Sequence, residues 1–278
     1  MNRSIQITFL GLLLLAAPLS PAAENETALN NVSFADVLAL PYREADLKLS
    51  YGMDQFQYGQ LWLPSGVPAS ASLVLIHGGC WLNQFDIVYS HGLSSALADA
   101  GYAVWSLEYR RTGDEGGGWP GSFEDVLSGI NKLAEIESVD TENLAILGHS
   151  AGGHLALLAG SRAELLDVQP DLIVGLAAIS DVVSYAEGSN TCQAATPLFM
   201  GGDIRDRAAE YFDANPINHG LNPNTVLMQG DIDEIVPLSQ STLEGARTIV
   251  SPGSGHFDWT HPETAAFHQL LELLDEHF

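Results

Sequence analysis

Lysine is nearly missing from this chain of 278 residues. Lys48 and Lys132 are the only two, and Lys and Arg together number 10 against 35 Asp and Glu. A formal net charge of −25 leaves no basic stripe for a nucleic-acid backbone or an anionic membrane, and it keeps the chain soluble. It also points to a salty habitat, where self-repulsion is screened. Cysteine is equally scarce: Cys80 and Cys192 are too few for a disulfide scaffold. Whether those two pair depends on a distance that spacing does not supply. There is no HExxH and no clustered His/Cys spacing, so neither a metal nor a cofactor is expected. No internal repeat or low-complexity linker follows Glu24, and no later apolar run is long enough to span a bilayer.

What is present begins with a leader. Arg3 precedes an apolar stretch from about Ile5 to Ala17, followed by Pro18, Ser20, Pro21, Ala22 and Ala23. That is the order of a secretory signal: a charged start, a short apolar middle and small residues at the cut. Residues 1–23 are therefore read as a signal peptide and 24–278 as the mature domain, exported to the periplasm or secreted. Every acidic residue lies after Ala23.

Past two short strands expected within 47–63, apolar strands alternate with helices. LVLIH (73–77), YAVWSLEY (102–109), LAILGH (144–149), LIVGLAAIS (172–180), TVLMQG (225–230) and RTIVSP (247–252) read as strands. Helices are expected at about 89–100, 123–137, 151–162 and 262–277. Continuous apolar strands separated by helices imply a mostly parallel, twisted sheet of about eight strands with helices on both faces. In such sheets ligands bind beyond the carboxyl ends of the strands. Residues 181–221 break the alternation, with one clear amphipathic piece at 205–212, and read as a short cap insertion.

The chemistry-bearing residues fall at those strand ends. Gly148-His149-Ser150-Ala151-Gly152 fits G-x-S-x-G between a strand and a helix, a sharp turn that exposes the Ser hydroxyl. The five-letter pattern is weak alone; its placement makes it persuasive. A Ser hydroxyl needs a base, and of nine His residues His256, in Gly253-Ser254-Gly255-His256-Phe257, is the one in the loop just after the last strand, where ligands should bind. The acid should lie between them in the chain. Asp231 and Asp233 compete: Asp231 leaves the strand directly and should brace the turn, whereas Asp233, on the outer loop, is favoured to orient His256. Paired glycines after LVLIH let backbone N–H groups approach a negative oxygen. Gly79, Ala151 and either Gly78 or Cys80 are the expected oxyanion donors.

With these motifs the chain resembles α/β-hydrolases of the esterase and lipase group, over nearly all of the mature sequence. HGGCW (77–81) is similar to the HGGxW motif of the kynurenine-formamidase-like and carboxylesterase-like branch, and LEYRR (107–111) to its Tyr-Arg segment. It departs from the hormone-sensitive-lipase branch, whose third glycine is Cys80 here. The resemblance implies Ser150 as nucleophile, Asp233 as acid and His256 as base, acting on a small-molecule ester or amide. Trp81, Trp119, Phe257 and Trp259 are candidate pocket residues. The leading expectation is an exported serine hydrolase of carboxylic esters. An amide hydrolase, of arylformamidase or prolyl-oligopeptidase type, is the alternative, and a catalytically dead binding module is the third reading.

Overall fold

The computed structural model describes residues 29–278, so the expected signal peptide lies outside the described residues. Six strands run parallel: β3 (Ser72–Ile76), β4 (Ala103–Leu107), β5 (Leu144–His149), β6 (Leu172–Leu176), β7 (Thr225–Gly230) and β8 (Arg247–Ser251). β1 (Leu47–Ser50) and β2 (Tyr58–Trp62) pair antiparallel, and β2 joins β4 antiparallel. The order across the sheet is β1-β2-β4-β3-β5-β6-β7-β8. This is the eight-stranded α/β-hydrolase architecture that the alternation and the motifs imply.

The central strands are apolar throughout because both faces are covered. On β3, Val74 and Ile76 point into one core with α3 (Gly121–Asn131) and α4 (Ala151–Ser161). Leu73 and Leu75 point into the other, with α2 (His91–Asp99) and α8 (Ala265–His277). α8 shows how a surface helix is held: Phe267, Leu270 and Leu274 fall on one stripe and bury it against the sheet. Each such side chain contributes about 1.5–3 kcal/mol of transfer energy. α4 is different, since all eleven of its residues are buried. It is the central helix of the molecule, and it begins at the residue after Ser150.

Two expectations need correction. β6 stops at Leu176 rather than Ser180, because Ala177 turns into the left-handed region at φ 46°. Residues 181–221 contain three short helices rather than one: α5 (Val182–Tyr185), α6 (Thr191–Phe199) and α7 (Ala208–Ala214). Pro197 masked α6 in the sequence, since proline removes an internal donor. Asn190 compensates with a capping box: its side chain accepts from Gln193 N, and the Gln193 side chain accepts from Asn190 N.

Candidate active site

β5 and α4 meet at an elbow whose apex is Ser150, at φ 56° and ψ −120°. A non-glycine residue there is strained, and such strain persists only where its surroundings over-determine it. The surroundings are visible. A Cβ on Gly148 would run into the Gly152 carbonyl, and one on Gly152 into the carbonyls of Ile76 and His77. Ser150 N donates to Leu176 O at 2.8 Å, and His154 N donates to Ser150 O at 3.1 Å. The turn pushes the Ser150 side chain into a cavity of about 370 Å³ that His256 also lines.

The loop after β7 brings Asp233 to His256. His256 Nδ1 lies 2.7 Å from Asp233 Oδ2, and Asp233 Oδ1 accepts from Ile235 N and Val236 N, each at 2.8 Å. Gln229 Nε2 donates to Oδ2 at 3.0 Å. Burial alone would raise this carboxyl, but His256 and the two backbone donors outweigh it and hold the pKa below its ordinary value. As a carboxylate Asp233 can only accept, so Nδ1 carries the proton and Nε2 is left with its lone pair. Asp231 braces the turn instead, accepting from Gly253 N at 2.6 Å. The structure therefore places the two aspartates differently, Asp233 against His256 and Asp231 against Gly253 N.

The turn after β3 runs through three consecutive residues of positive φ: Gly79 at 104°, Cys80 at 54° and Trp81 at 58°. Among the described residues, the N–H groups of Gly79, Cys80 and Ala151 have no hydrogen-bond partner. Gly78 is otherwise engaged: its N–H donates to the Tyr89 hydroxyl. Gly78 is thus corrected from a candidate oxyanion donor to an anchor, which leaves Cys80, beside Gly79, as the candidate with a free N–H in this turn. Beneath it, His77 Nδ1 lies 2.8 Å from Gly78 O and Nε2 lies 3.0 Å from Glu108 Oε1. Glu108 Oε2 also accepts from Ile87 N at 3.0 Å, and Arg111 Nη1 lies 3.3 Å from Oε1. Burial would raise the Glu108 carboxyl, but His77 and Arg111 outweigh it and keep it lowered. Because the Gly78 carbonyl is held, the peptide plane that carries the Gly79 N–H is held with it.

Two polar residues that the sequence did not single out tie these pieces together. Tyr89 Oη lies 3.1 Å from His149 Nδ1, and His149 Nε2 lies 2.9 Å from the His256 carbonyl. A carbonyl only accepts, so Nε2 donates and Nδ1 takes the tyrosine proton. Burial, reinforced by the nearby His256, pushes the His149 pKa down to about 3 and keeps the ring neutral. A continuous chain of donors thus runs from Gly78 through Tyr89 and His149 to the backbone of His256. His149 had been legible only as the variable residue of the elbow; its position one residue before Ser150 was the available signal.

Cys80 is bonded to Cys192 across 112 residues, with Cα atoms 5.0 Å apart. The bond joins the β3 turn to α6. The cavity between them is walled by Phe34, Phe85, Tyr89, Ile235 and Phe257, with Gln84, Asn190 and Thr191 joining His149, Ser150 and His256 as its polar members. Of the four aromatic residues expected there, only Phe257 lines it. Trp81 is wholly buried and stacks on Phe199 with ring centroids 4.6 Å apart. Trp119 stacks on Phe123 at 5.7 Å, and Trp259 sits in the core beside α8. These three are corrected from pocket to packing, Trp81 and Trp259 fully buried and Trp119 partly buried against the core. Among the described residues, no group of three or more His, Cys, Asp or Glu is placed to hold a metal ion. No described helix is long and apolar enough to cross a membrane.

Residues 60–244 match the family model described as BD-FAE, well over half of the chain. Esterase LipC of Mycobacterium tuberculosis is 28% identical over 241 residues, which are 75% of this chain and 59% of LipC. An acetyl-hydrolase of Streptomyces hygroscopicus is 26% identical over 211 residues, covering 69% of this chain and 68% of its own. The probable carboxylic ester hydrolase LipM, also from M. tuberculosis, is 26% identical over 198 residues, 61% of this chain and 42% of its own. The chain therefore spans about half the length of LipC and LipM. In shape it is similar to esterase B from Lactobacillus rhamnosis, with a TM-score of 0.71 at 19% identity, covering 88% of this chain and 89% of that one. A truncated carbohydrate esterase from gut microbiota gives a TM-score of 0.67 at 20% identity, covering 85% and 96%. At that identity the likeness establishes the fold.

Proposed function

Because the chain belongs to the BD-FAE family, we propose that it is a serine hydrolase of carboxylic esters, working through an acyl-enzyme on Ser150. One observation carries the reading: Ser150, strained at the elbow, opens into the same cavity as a His256 whose Nδ1 is held by Asp233 at 2.7 Å. His256 Nε2 takes the Ser150 proton as the hydroxyl attacks the ester carbonyl. The oxygen gathers negative charge and meets the N–H groups of Gly79, Cys80 and Ala151, which have no partner of their own among the described residues. The tetrahedral intermediate collapses, the alcohol leaves with the proton from His256, and an acyl-Ser150 remains. Water, deprotonated by His256, reverses the sequence and releases the acid. Asp233 stays ionised throughout and stabilises the imidazolium.

Esters come first because the relatives are named as esterases or an acetyl-hydrolase. The HGGCW stretch keeps a formamide in the test. Purified protein is assayed on p-nitrophenyl acetate and on N-formylkynurenine, with Ser150→Ala as the blank. The expected result is ester turnover that the substitution lowers by about 10⁴-fold or more. Turnover that survives in Ser150→Ala would remove the serine mechanism, and a preference for the formamide would move the substrate class.

The arrangement of the first 23 residues supports export, and so does the Cys80–Cys192 bond, which persists best in an oxidising compartment. N-terminal sequencing of the protein recovered from its native cells should find a start near residue 23 or 24.

A further inference from the structure

We propose that residues 29–38 form a strap that completes the substrate cavity, and that Phe34 on this strap sets the bulk of ester the cavity accepts. The inference rests on the esterase reading and adds the wall that gives it selectivity. The strap lies outside residues 60–244, so the match to the family does not extend to it.

Phe34 belongs to α1 (Phe34–Leu38), a five-residue helix opened by a Ser33–Asp36 capping box. Its ring lines the cavity and packs between three others, with centroids 5.6 Å from Phe85, 5.7 Å from Tyr89 and 5.4 Å from Phe257. A helix this short has little stability of its own, so something else must hold the ring in place. The holder is Asp258, a fully buried carboxylate. Asp258 Oδ2 accepts from Asn31 N at 2.7 Å and from Gly255 N at 2.9 Å, and Oδ1 accepts from Val32 N at 2.7 Å. A parallel bridge between Leu29 and Thr264 adds a second tether, and Thr264 Oγ1 donates to Asp258 O at 2.6 Å. One side chain thus clamps the strap to the loop that carries His256.

The lining contains no Lys, Arg, Asp or Glu. A charged group entering it would lose its hydration without a partner. The cavity therefore takes neutral esters with an apolar or aryl portion. Its volume of about 370 Å³ lies toward the small end for ligand sites, and Phe34 supplies part of its wall from the strap. Shortening that side chain enlarges the cavity without touching Ser150, Asp233 or His256.

The test is a selectivity series on the full chain. The ratio of kcat/KM for p-nitrophenyl octanoate to that for the acetate is measured in the native protein, Phe34→Ala, Phe34→Leu and Leu38→Ala. A parallel series varies the alcohol of acetate esters. Phe34→Ala should shift the ratio at least about tenfold toward the bulkier ester in one of the two series, mainly through KM, with Phe34→Leu between. Leu38, exposed on the same helix, should leave the ratio as it was. Unchanged ratios in a folded Phe34→Ala protein would overturn the proposal. Fluorescence titration with prodan, a neutral apolar probe, gives a second readout that needs no turnover: Phe34→Ala should change its affinity at least about fivefold. Native protein that hydrolyses no ester would instead sink the esterase reading, and the prodan result then decides the strap by itself.

Discussion

The inner and outer walls of the cavity are built differently. The inner wall, Gly79–Cys80, Ser150 and His256, hangs from the ends of β3, β5 and β8, of which β3 and β5 are fully buried, as is α4. The outer wall, Phe34 together with Asn190–Cys192, rides on α1 and α6. Those short helices are tied down at points: Asp258 for the strap, and the Cys80–Cys192 bond for α6. Farther out, His154 on α4 lies 2.7 Å from the carbonyl of Ala214, the last residue of α7. Reacting atoms need fixed geometry within a few tenths of an ångström, which a packed sheet supplies. Selection by size needs only a boundary, and a tethered segment can be altered without disturbing the chemistry behind it.

The largest effect is expected on the inner wall. Asp233→Asn should lower kcat by about 10²–10⁴-fold while leaving the melting temperature within a few degrees, because it upsets the His256 tautomer rather than the packing. Asp231→Asn, which weakens only the brace to Gly253 N, should cost less than about threefold. Equal losses from both would erase the distinction between catalytic and bracing aspartates.

Cutting the covalent tether should act on the outer wall. Cys192→Ser, or reduction of the native protein by a dithiol, frees a closure spanning 112 residues. Loop entropy puts its contribution to stability at about 3–5 kcal/mol. Cys80 remains in the turn, so KM should rise more than kcat falls. A fall in kcat alone would mean that the bond serves the oxyanion turn and not α6.

The smallest effect on turnover is expected from protons, which act on stability. Burial pushes His154 down to about 4 and His149, with help from His256, down to about 3. An unfolded His titrates near 6.5. Between that pH and the folded values the unfolded chain binds protons that the folded chain refuses, so stability falls as the solution is acidified. The slope is at most about 1.4 kcal/mol per pH unit for each ring. Asp233 acts in another window: its folded pKa is lowered, so its contribution persists down to about pH 4 and is lost only below. Thermal melts from pH 7 to 4.5 should show the decline, and His154→Gln should flatten it. An identical slope in that variant would show that the His154 ring does not carry the decline.

Much of the inner wall was legible in the residues themselves. Ser150, His256 and the preference for Asp233 over Asp231 follow from where each motif meets a strand end, and the eight-stranded sheet follows from alternating apolar runs. These are local signals: a strand, a turn and a helix start lie within a few residues of one another. The pocket aromatics were not legible. Trp81, Trp119 and Trp259 look like Phe257 in a sequence, since all four are large rings near strand ends, and only packing shows which of them point at solvent-accessible space.

The amino-acid sequence by itself therefore determined the sheet, the elbow, the glycine turn after β3 and the acidic charge. Tertiary structure alone decided that Gly78 answers to Tyr89 rather than to a substrate, that Cys80 and Cys192 meet, and that Phe34 reaches the cavity. The physical reason is range. Backbone propensity and hydrophobic periodicity act over a few residues, whereas a cavity wall is made by segments whose separation along the chain says nothing about their distance in space.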